Sequence, residues 1–261
     1  MREFEFARAT SLEDAAAQFA SGGEAALIAG GHTLLPAMKS RLRMPDRLID
    51  INGIPGLDRI ERDGDRLWIG ATARHATVAD DATVKAAIPS LAQLALLIGD
   101  PQVRNRGTLG GSIANNDPAA DYPAACLALD ATVETTGGSY AADDFFLGMF
   151  TTALADGEIV TRVGFRLPQA GAYAKFRHPA SRYAMAAVYV ARFADGWRVA
   201  VTGAAAAVFR WSEAEAALAA GRSVDGLVLE AADLNSDIHA SADYRAHLCG
   251  VMLARAVADL G

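Results

Sequence analysis

Apolar positions along the chain switch between two spacings. In LEDAAAQFA, Leu12, Ala15, Ala16 and Phe19 recur at helical intervals and share one face. Thr10 or Ser11 is placed to cap that helix, and Gly22-Gly23 ends it. Short apolar runs follow, each bounded by turn residues: Leu27 to Ala29, Arg47 to Ile51 behind Pro45, and Arg66 to Ala73 behind Asp63-Gly64. Runs of that length between Gly, Pro and Asp predict strands. Pro89 to Ile98 returns to a helical pattern that Asp100-Pro101 closes. Gly107 to Asp121 is rich in Gly, Asn, Asp and Pro, which predicts a loop. Pro123 then opens an apolar helix through Leu129.

The pattern changes after Pro168. Ala187 to Ala194 and Trp197 to Thr202 flank Asp195-Gly196, a hairpin signal. Ser212 to Glu215 reads as a capping box ahead of an alanine-rich helix that Gly221 ends. A last helix starts near Ser241, with Tyr244, Leu248, Val251 and Met252 as its apolar stripe. The tail is therefore expected to be a hairpin-containing sheet with helices packed on it, divided from the rest near residues 168–172. No repeat, linker or low-complexity tract interrupts the chain.

At 261 residues and 52% hydrophobic content, the chain can bury two domains, or one large domain with subdomains. A formal net charge of -7 argues against a nucleic-acid partner. No apolar run approaches the ~20 residues that span a bilayer. The charged N-terminus MREFEFARAT lacks a signal core. Cys126 and Cys249 sit apart in apolar, helix-like contexts, as buried thiols of a reducing compartment do. A zinc or iron–sulfur site needs about three or four ligands at local spacings.

Two segments carry the candidate chemistry. LIAGGHTLLPAMKSRL, from Leu27 to Leu42, stops an apolar run on Gly30-Gly31. DPQVRNRGTLGGSIANNDPAAD, from Asp100 to Asp121, carries Gly110-Gly111 with Gly107 just before. Adjacent glycines permit positive φ and remove the Cβ atoms that keep a ligand off the backbone. Successive amides then form an anion-binding nest, and Thr33, Thr108 and Ser112 add hydroxyls. Neither segment is a GxGxxG or a GxxxxGK[ST] motif, so neither a Rossmann site nor a P-loop is indicated. Each glycine pair alone is also compatible with a plain tight turn. Together they point to one extended phosphate-bearing ligand held from two sides, and Gly110→Val is expected to abolish its retention with most of the fold intact.

Both segments resemble the two FAD-binding motifs of the medium, flavoprotein subunit of molybdenum hydroxylases, the carbon monoxide dehydrogenase and xanthine dehydrogenase family. IAGGHTLLPAMKSRL and RNRGTLGGSIANNDPAADYPAACLALDA carry the likeness, with Thr33 where Ser is usual and Leu109 where Ile is usual. Asp144-Phe145-Phe146, Glu158-Ile159 and SADYRAHLCGVMLARAV extend it over nearly the whole chain. The resemblance implies an α+β fold: a p-cresol methylhydroxylase (vanillyl-alcohol oxidase)-type FAD-binding domain of two subdomains over residues 1–170. A small C-terminal antiparallel sheet with helices follows over residues 171–261. It implies FAD lying between the subdomains. Ala29, Gly30, Gly31, His32, Thr33 and Leu34 on one side, and Thr108, Leu109, Gly110, Gly111 and Ser112 on the other, would hold the pyrophosphate through backbone amides, with Leu27 and Ile28 as further cofactor-binding residues. Asp121 matches an acidic residue near the adenosine portion. At the isoalloxazine end the candidates are Tyr183, Lys175 and Arg177, where a cation favours the anionic reduced flavin.

The resemblance also implies partners: a [2Fe–2S] small subunit and a molybdenum-cofactor large subunit, assembled as a dimer of heterotrimers; the thiols and the charged N-terminus lead to the expectation of a cytoplasmic location. Electrons would reach FAD from the small subunit and leave to NAD+, a quinone or another soluble acceptor. A variant with a [4Fe–4S] cluster in this subunit is disfavoured by the two distant cysteines. Two other readings stay open at this level: a free-standing FAD-dependent oxidase or dehydrogenase, and a flavin-free assembly module. His32 reads as part of the flavin loop, and His75, His178, His239 and His247 as structural or surface residues. Lys39, Arg41 and Arg43 read as a solvated face or a docking patch. Arg104 and Arg106 could face phosphates or a partner, and Asp80-Asp81 and Asp143-Asp144 are turn or cap residues.

Overall fold

The computed structural model describes residues 1–260; Gly261, the last position of the expected C-terminal domain, lies outside them. Strands β1 (Glu5–Arg8), β2 (Ala25–Ile28) and β3 (Arg47–Asp50) form a parallel sheet in the order β1-β3-β2. Successive residues of a strand face opposite ways. Leu48 therefore packs with Ala26 and Met38 on one face, and Ile49 with Ala9 and Ala15 on the other. The helices Leu34–Lys39 and Leu12–Ala20 cover those two faces. Of the two candidate caps, Ser11 is the one used: its Oγ accepts from the Asp14 amide at 3.1 Å. The buried face is narrower than the spacing predicts, because Ala16 is exposed.

A second sheet gathers β4 (Ile60–Asp63), β5 (Arg66–Gly70), β6 (Thr132–Thr135) and β7 (Ser139–Ala141). After a small hairpin, β8 (Phe146–Gly148) and β9 (Thr151–Thr152), strand β10 (Val160–Arg166) joins it. Its order is β4-β5-β10-β6-β7, antiparallel throughout. The third sheet is β11 (Ala170–Arg177), β12 (Ala184–Phe193), β13 (Gly196–Thr202) and β14 (Phe209–Arg210), antiparallel and in chain order. The hairpin between β12 and β13 forms as the pattern predicts, but its turn is Ala194-Asp195, one residue early, because Gly196 already pairs with Phe193 in the sheet.

The largest core lies between the second and third sheets. It takes Leu67, Ile69, Val163 and Phe165 from one, and Ala187, Tyr189 and Ala191 from the other. The helix Tyr122–Ala128 runs through this core with every residue buried, which accounts for its wholly apolar sequence. Alternate residues of β12, Ala186, Val188 and Val190, face a separate core under the helices Ser212–Ala219 and Ala242–Ala258. Strand β12 is thus apolar at consecutive positions because both its faces are covered.

Three sequence expectations are corrected. The stretch from Gly107 to Asp121 is not all loop: Leu109–Asn115 is a helix, begun by Thr108, whose Oγ accepts from Gly111 N at 3.2 Å. Its glycine and asparagine content masks that pattern. The capping box does not form, because Glu215 turns away from its own helix start. Its Oε1 accepts from Val199 N at 2.9 Å and from Arg210 Nε at 2.8 Å. In the last helix Ser241 caps as expected, but Tyr244 is exposed while Leu248 and Met252 are buried.

Arg245 ties that last helix to the third sheet. Buried, it donates from Nη1 to Met185 O at 2.7 Å and Gly203 O at 2.8 Å, and from Nη2 to Asp237 at 2.7 Å. Arg245→Leu strands two buried carbonyls and should cost about 3 kcal/mol in urea unfolding. The exposed Arg255→Leu should stay within about 0.5 kcal/mol.

Candidate functional site

A cleft of about 1080 Å3 opens where the three sheets approach one another. Its walls are the segment after β2, the start of the helix Leu109–Asn115, the end of the β8–β9 hairpin with residues 154–158, and the β11–β12 connection. Such volumes suit extended cofactors rather than small metabolites.

The first wall is backbone. After Ile28 the chain turns through Ala29 to Thr33 before the helix Leu34–Lys39. Gly31 holds φ +73, a left-handed conformation that favours glycine. A Cβ on Gly30 would stand 2.6 Å from Arg106 O and 2.7 Å from Gly107 Cα, so a side chain there would force the two motif segments apart. No hydrogen bond among the described residues uses the amides of Gly30, Gly31, His32 or Thr33. The Thr33 hydroxyl makes no capping bond. This is a row of free donors on a wall of the cleft, which is what a nest requires.

The second motif is built differently. Leu109 N donates to Ala73 O at 3.0 Å, Gly110 N to Ala71 O at 2.8 Å, and Ser112 N to Thr108 O at 3.0 Å. With Gly111 N on Thr108 Oγ, the amides from Leu109 to Ser112 are all engaged within the chain. Leu109 is in the core and Gly110 does not reach the cleft, whereas Thr108, Gly111 and Ser112 line it. Gly110 is glycine because a Cβ would fall 2.5 Å from Ala71 Cβ. The two glycine pairs therefore differ: the first offers amides, the second allows close packing and one bare backbone patch at Gly111.

The remaining candidates separate. Leu27 to Leu34 all line the cleft, as does Asp121. Lys175 does not face it. Its Nζ lies 2.8 Å from Asp121 Oδ1, with Leu97 O at 3.2 Å, in an almost fully buried ion pair. Tyr173 also donates to Asp121. Burial raises the Asp121 carboxyl above its ordinary value, against the opposing pull of Lys175 and Tyr173. Arg177 is exposed and outside the cleft lining. Tyr183 stands at the cleft with 48% of its surface exposed. Its hydroxyl is raised first by partial burial, then by Asp117 and Asp121. Among the basic residues, Arg43 and Arg182 line the cleft. Arg104 turns back onto Ile98 O at 3.0 Å.

Sequence reasoning does not single out Phe150 and reads His75 only as a structural or surface residue. Phe150, on the β8–β9 hairpin, lines the cleft with φ +52, held there by its amide on Asn116 O at 3.1 Å. His75 is buried, lines the cleft, and has no partner for Nδ1; the Tyr122 hydroxyl beside it is likewise unpartnered. The Gly107 position must lack a side chain, because a Cβ would sit 2.5 Å from His75 Nε2. Burial, then the positive potentials of His32 and Arg104, lower His75 to about 4. No spacing in ATARHATVAD signals this, since burial of His75 arises from packing against the second motif. Cys126 and Cys249 are free and buried, with Cys249 pushed up to about 12.

An α+β chain with a glycine-walled cleft and a nest of free amides is the form of a dinucleotide-cofactor protein. The sequence profile of the FAD binding domain in molybdopterin dehydrogenase matches residues 2–170. The nicotine 6-hydroxylase medium subunit of Paenarthrobacter nicotinovorans is 35% identical, covering 98% of this chain and 96% of that one. The carbon monoxide dehydrogenase medium chain of Afipia carboxidovorans is 36% identical over 97% of this chain and 95% of that one. The crystal structure of cyanide-inactivated Cu,Mo-CO dehydrogenase superposes with a TM-score of 0.91 at 33% identity, covering 99% of this chain and 98% of that chain. Quinoline 2-oxidoreductase from Pseudomonas putida 86 gives 0.86 at 28% identity, with 99% and 97% coverage. The chain belongs to this family: it is an FAD-binding medium subunit of the molybdenum hydroxylase enzymes, and an oxidoreductase component.

Two outcomes are expected. Gly110→Val overpacks Ala71 and should lower stability by about 1–3 kcal/mol in urea unfolding, with any flavin loss following from that instead of from a lost donor. His75 stays neutral in the native state down to about 4 while the unfolded chain takes its proton near 6.5. Stability should therefore fall as pH drops across that window, by ~3 kcal/mol. His75→Gln should flatten this part of the acid-unfolding profile.

Proposed function

We propose that the chain is the electron-transfer subunit of a three-component molybdenum hydroxylase. It takes electrons from a [2Fe–2S] small subunit and passes them to NAD+, a quinone or another soluble acceptor, while a molybdenum-cofactor large subunit hydroxylates the substrate. The assembly is a dimer of heterotrimers. Residues 1–170 form the p-cresol methylhydroxylase-type FAD-binding domain and residues 171–261 the C-terminal domain. The buried free thiols suit the cytoplasm, and no helix among the described residues is long and apolar enough to cross a membrane.

The observation that carries the cofactor assignment to particular residues is the row of unengaged amides from Gly30 to Thr33, on the cleft that Gly111 and Ser112 also line. The donor set fits a diphosphate: amides and the Thr33 hydroxyl, with a bare backbone at Gly111 where an anion can come close. FAD, when bound, supplies the chemistry that links two-electron and one-electron redox partners. Gly30 to Thr33 would hold its diphosphate through their amides, and the Ser112 hydroxyl would add a donor. Tyr183, on the third sheet's edge of the cleft, would serve the isoalloxazine end in place of Lys175 or Arg177. Lys175 instead neutralises Asp121.

The test is the visible spectrum of the full chain, alone and co-purified with its partners, with the released cofactor identified after denaturation. FAD at about one per chain is expected, and Gly31→Val, strained at φ +73, should lose it with secondary structure retained. Full FAD occupancy in Gly31→Val would remove the nest from the argument.

A further inference from the structure

The β11–β12 connection carries Tyr183 to the cleft, and one side chain organises it. His178 Nδ1 accepts from the amides of both Ala180 and Ser181, each at 3.2 Å. The His178 backbone closes the same loop, with its N on Tyr183 O at 2.8 Å and its O receiving Arg182 N at 2.9 Å. Arg182 adopts φ +62, a conformation that a non-glycine residue keeps only where its surroundings impose it. Ser181 Oγ accepts from Tyr183 N at 3.3 Å. Ser181, Arg182 and Tyr183 then line the cleft.

Two amides pointing into Nδ1 require a lone pair there, so the imidazole must be the neutral Nε2–H tautomer. Protonation places a hydrogen on Nδ1, facing two donors, and removes both bonds at once. Histidine is the side chain whose charge changes between about pH 5 and 8. Several charged and titratable groups surround it. The His239 ring packs against His178 at 4.6 Å between centroids, Arg177 ends β11 just before it, and Arg182 is on the same connection. Asp237 lies on the segment that carries His239, while Asp100 faces Arg182 and Asp117 and Asp121 face Tyr183. Asp237 is engaged by Arg245 at 2.7 Å and by the His239 amide at 2.9 Å.

We infer that His178 is a positioning residue: its neutral imidazole folds the β11–β12 connection so that Tyr183 stands over the cleft, and acid releases that connection. The inference rests on the reading of Tyr183 as the residue at the flavin ring. It makes flavin environment, and not only flavin retention, depend on pH through a residue outside the cleft.

The experiment follows the full chain from pH 8 to 5 as wild type, His178→Asn and His178→Ala. Two readouts are used: hydrogen-exchange protection of the Ala180 and Ser181 amides in the flavin-free chain, corrected for intrinsic exchange, and emission of added FAD. Asparagine Oδ1 reproduces the acceptor without titrating. Wild-type protection should fall about tenfold toward pH 5, as loss of roughly one net hydrogen bond implies. Flavin emission should rise in parallel as the tyrosine ring leaves the flavin. His178→Asn should stay protected and quenched at both ends, and His178→Ala should be unprotected and bright at both. Wild-type protection that is flat with pH, or His178→Ala as protected as His178→Asn, would overturn the inference and leave the flavin assignment standing. Failure of the wild type to take up FAD would overturn the flavin reading, while the amide protection would still decide the role of His178 in the loop.

Discussion

A carboxylate buried between two sheets is the constraint on which the arrangement depends. Asp121 sits at the head of the fully buried helix Tyr122–Ala128, and Lys175 and Tyr173 reach it from β11. Taking such a pair out of water is costly, and removing one partner leaves an uncompensated charge. The contact therefore allows one registration of the third sheet on the rest of the chain. That registration aims the β11–β12 connection at the cleft, three residues beyond Lys175. The cation that sequence reasoning set near the flavin ring thus acts from behind the cleft wall.

The two glycine pairs show how one local pattern serves different physical ends. Gly30-Gly31 leaves amides without partners, and a polar backbone group left so is a binding site or a liability. Gly110-Gly111 begins a helix whose first amides are engaged by Ala73, Ala71 and Thr108. Its glycines let that helix lie against Ala71, so the wall opposite the nest is shaped by packing. Gly107 does a third thing, leaving room for a buried imidazole. The nest and the wall meet where Gly30 lies against Arg106 and Gly107, an approach that a side chain on Gly30 would not permit.

Three buried or half-buried polar devices surround the cleft: the Asp121–Lys175 pair, the unpartnered His75 and Tyr122, and the His178 loop. Each links protonation to geometry in its own way. His75 is kept neutral by burial, whereas the His178 lone pair accepts two loop amides. The first acts on global stability, the second on one loop.

The sequence by itself determined the chemistry-bearing segments, the helix at Leu12, the strand cores and, to within one residue, the hairpin beside Gly196, because each rests on local periodicity or turn residues. The family resemblance added FAD, which periodicity does not indicate. What only the tertiary structure decided was which residues of those segments face the cleft. Leu109 and Gly110 share a motif with Gly111 yet point into the core, and Lys175 is drawn to Asp121, more than fifty positions away. Glu215 left its capping box for Val199 for the same reason. A buried carboxylate or amide takes the partner that packing brings to it, and sequence spacing does not record that distance.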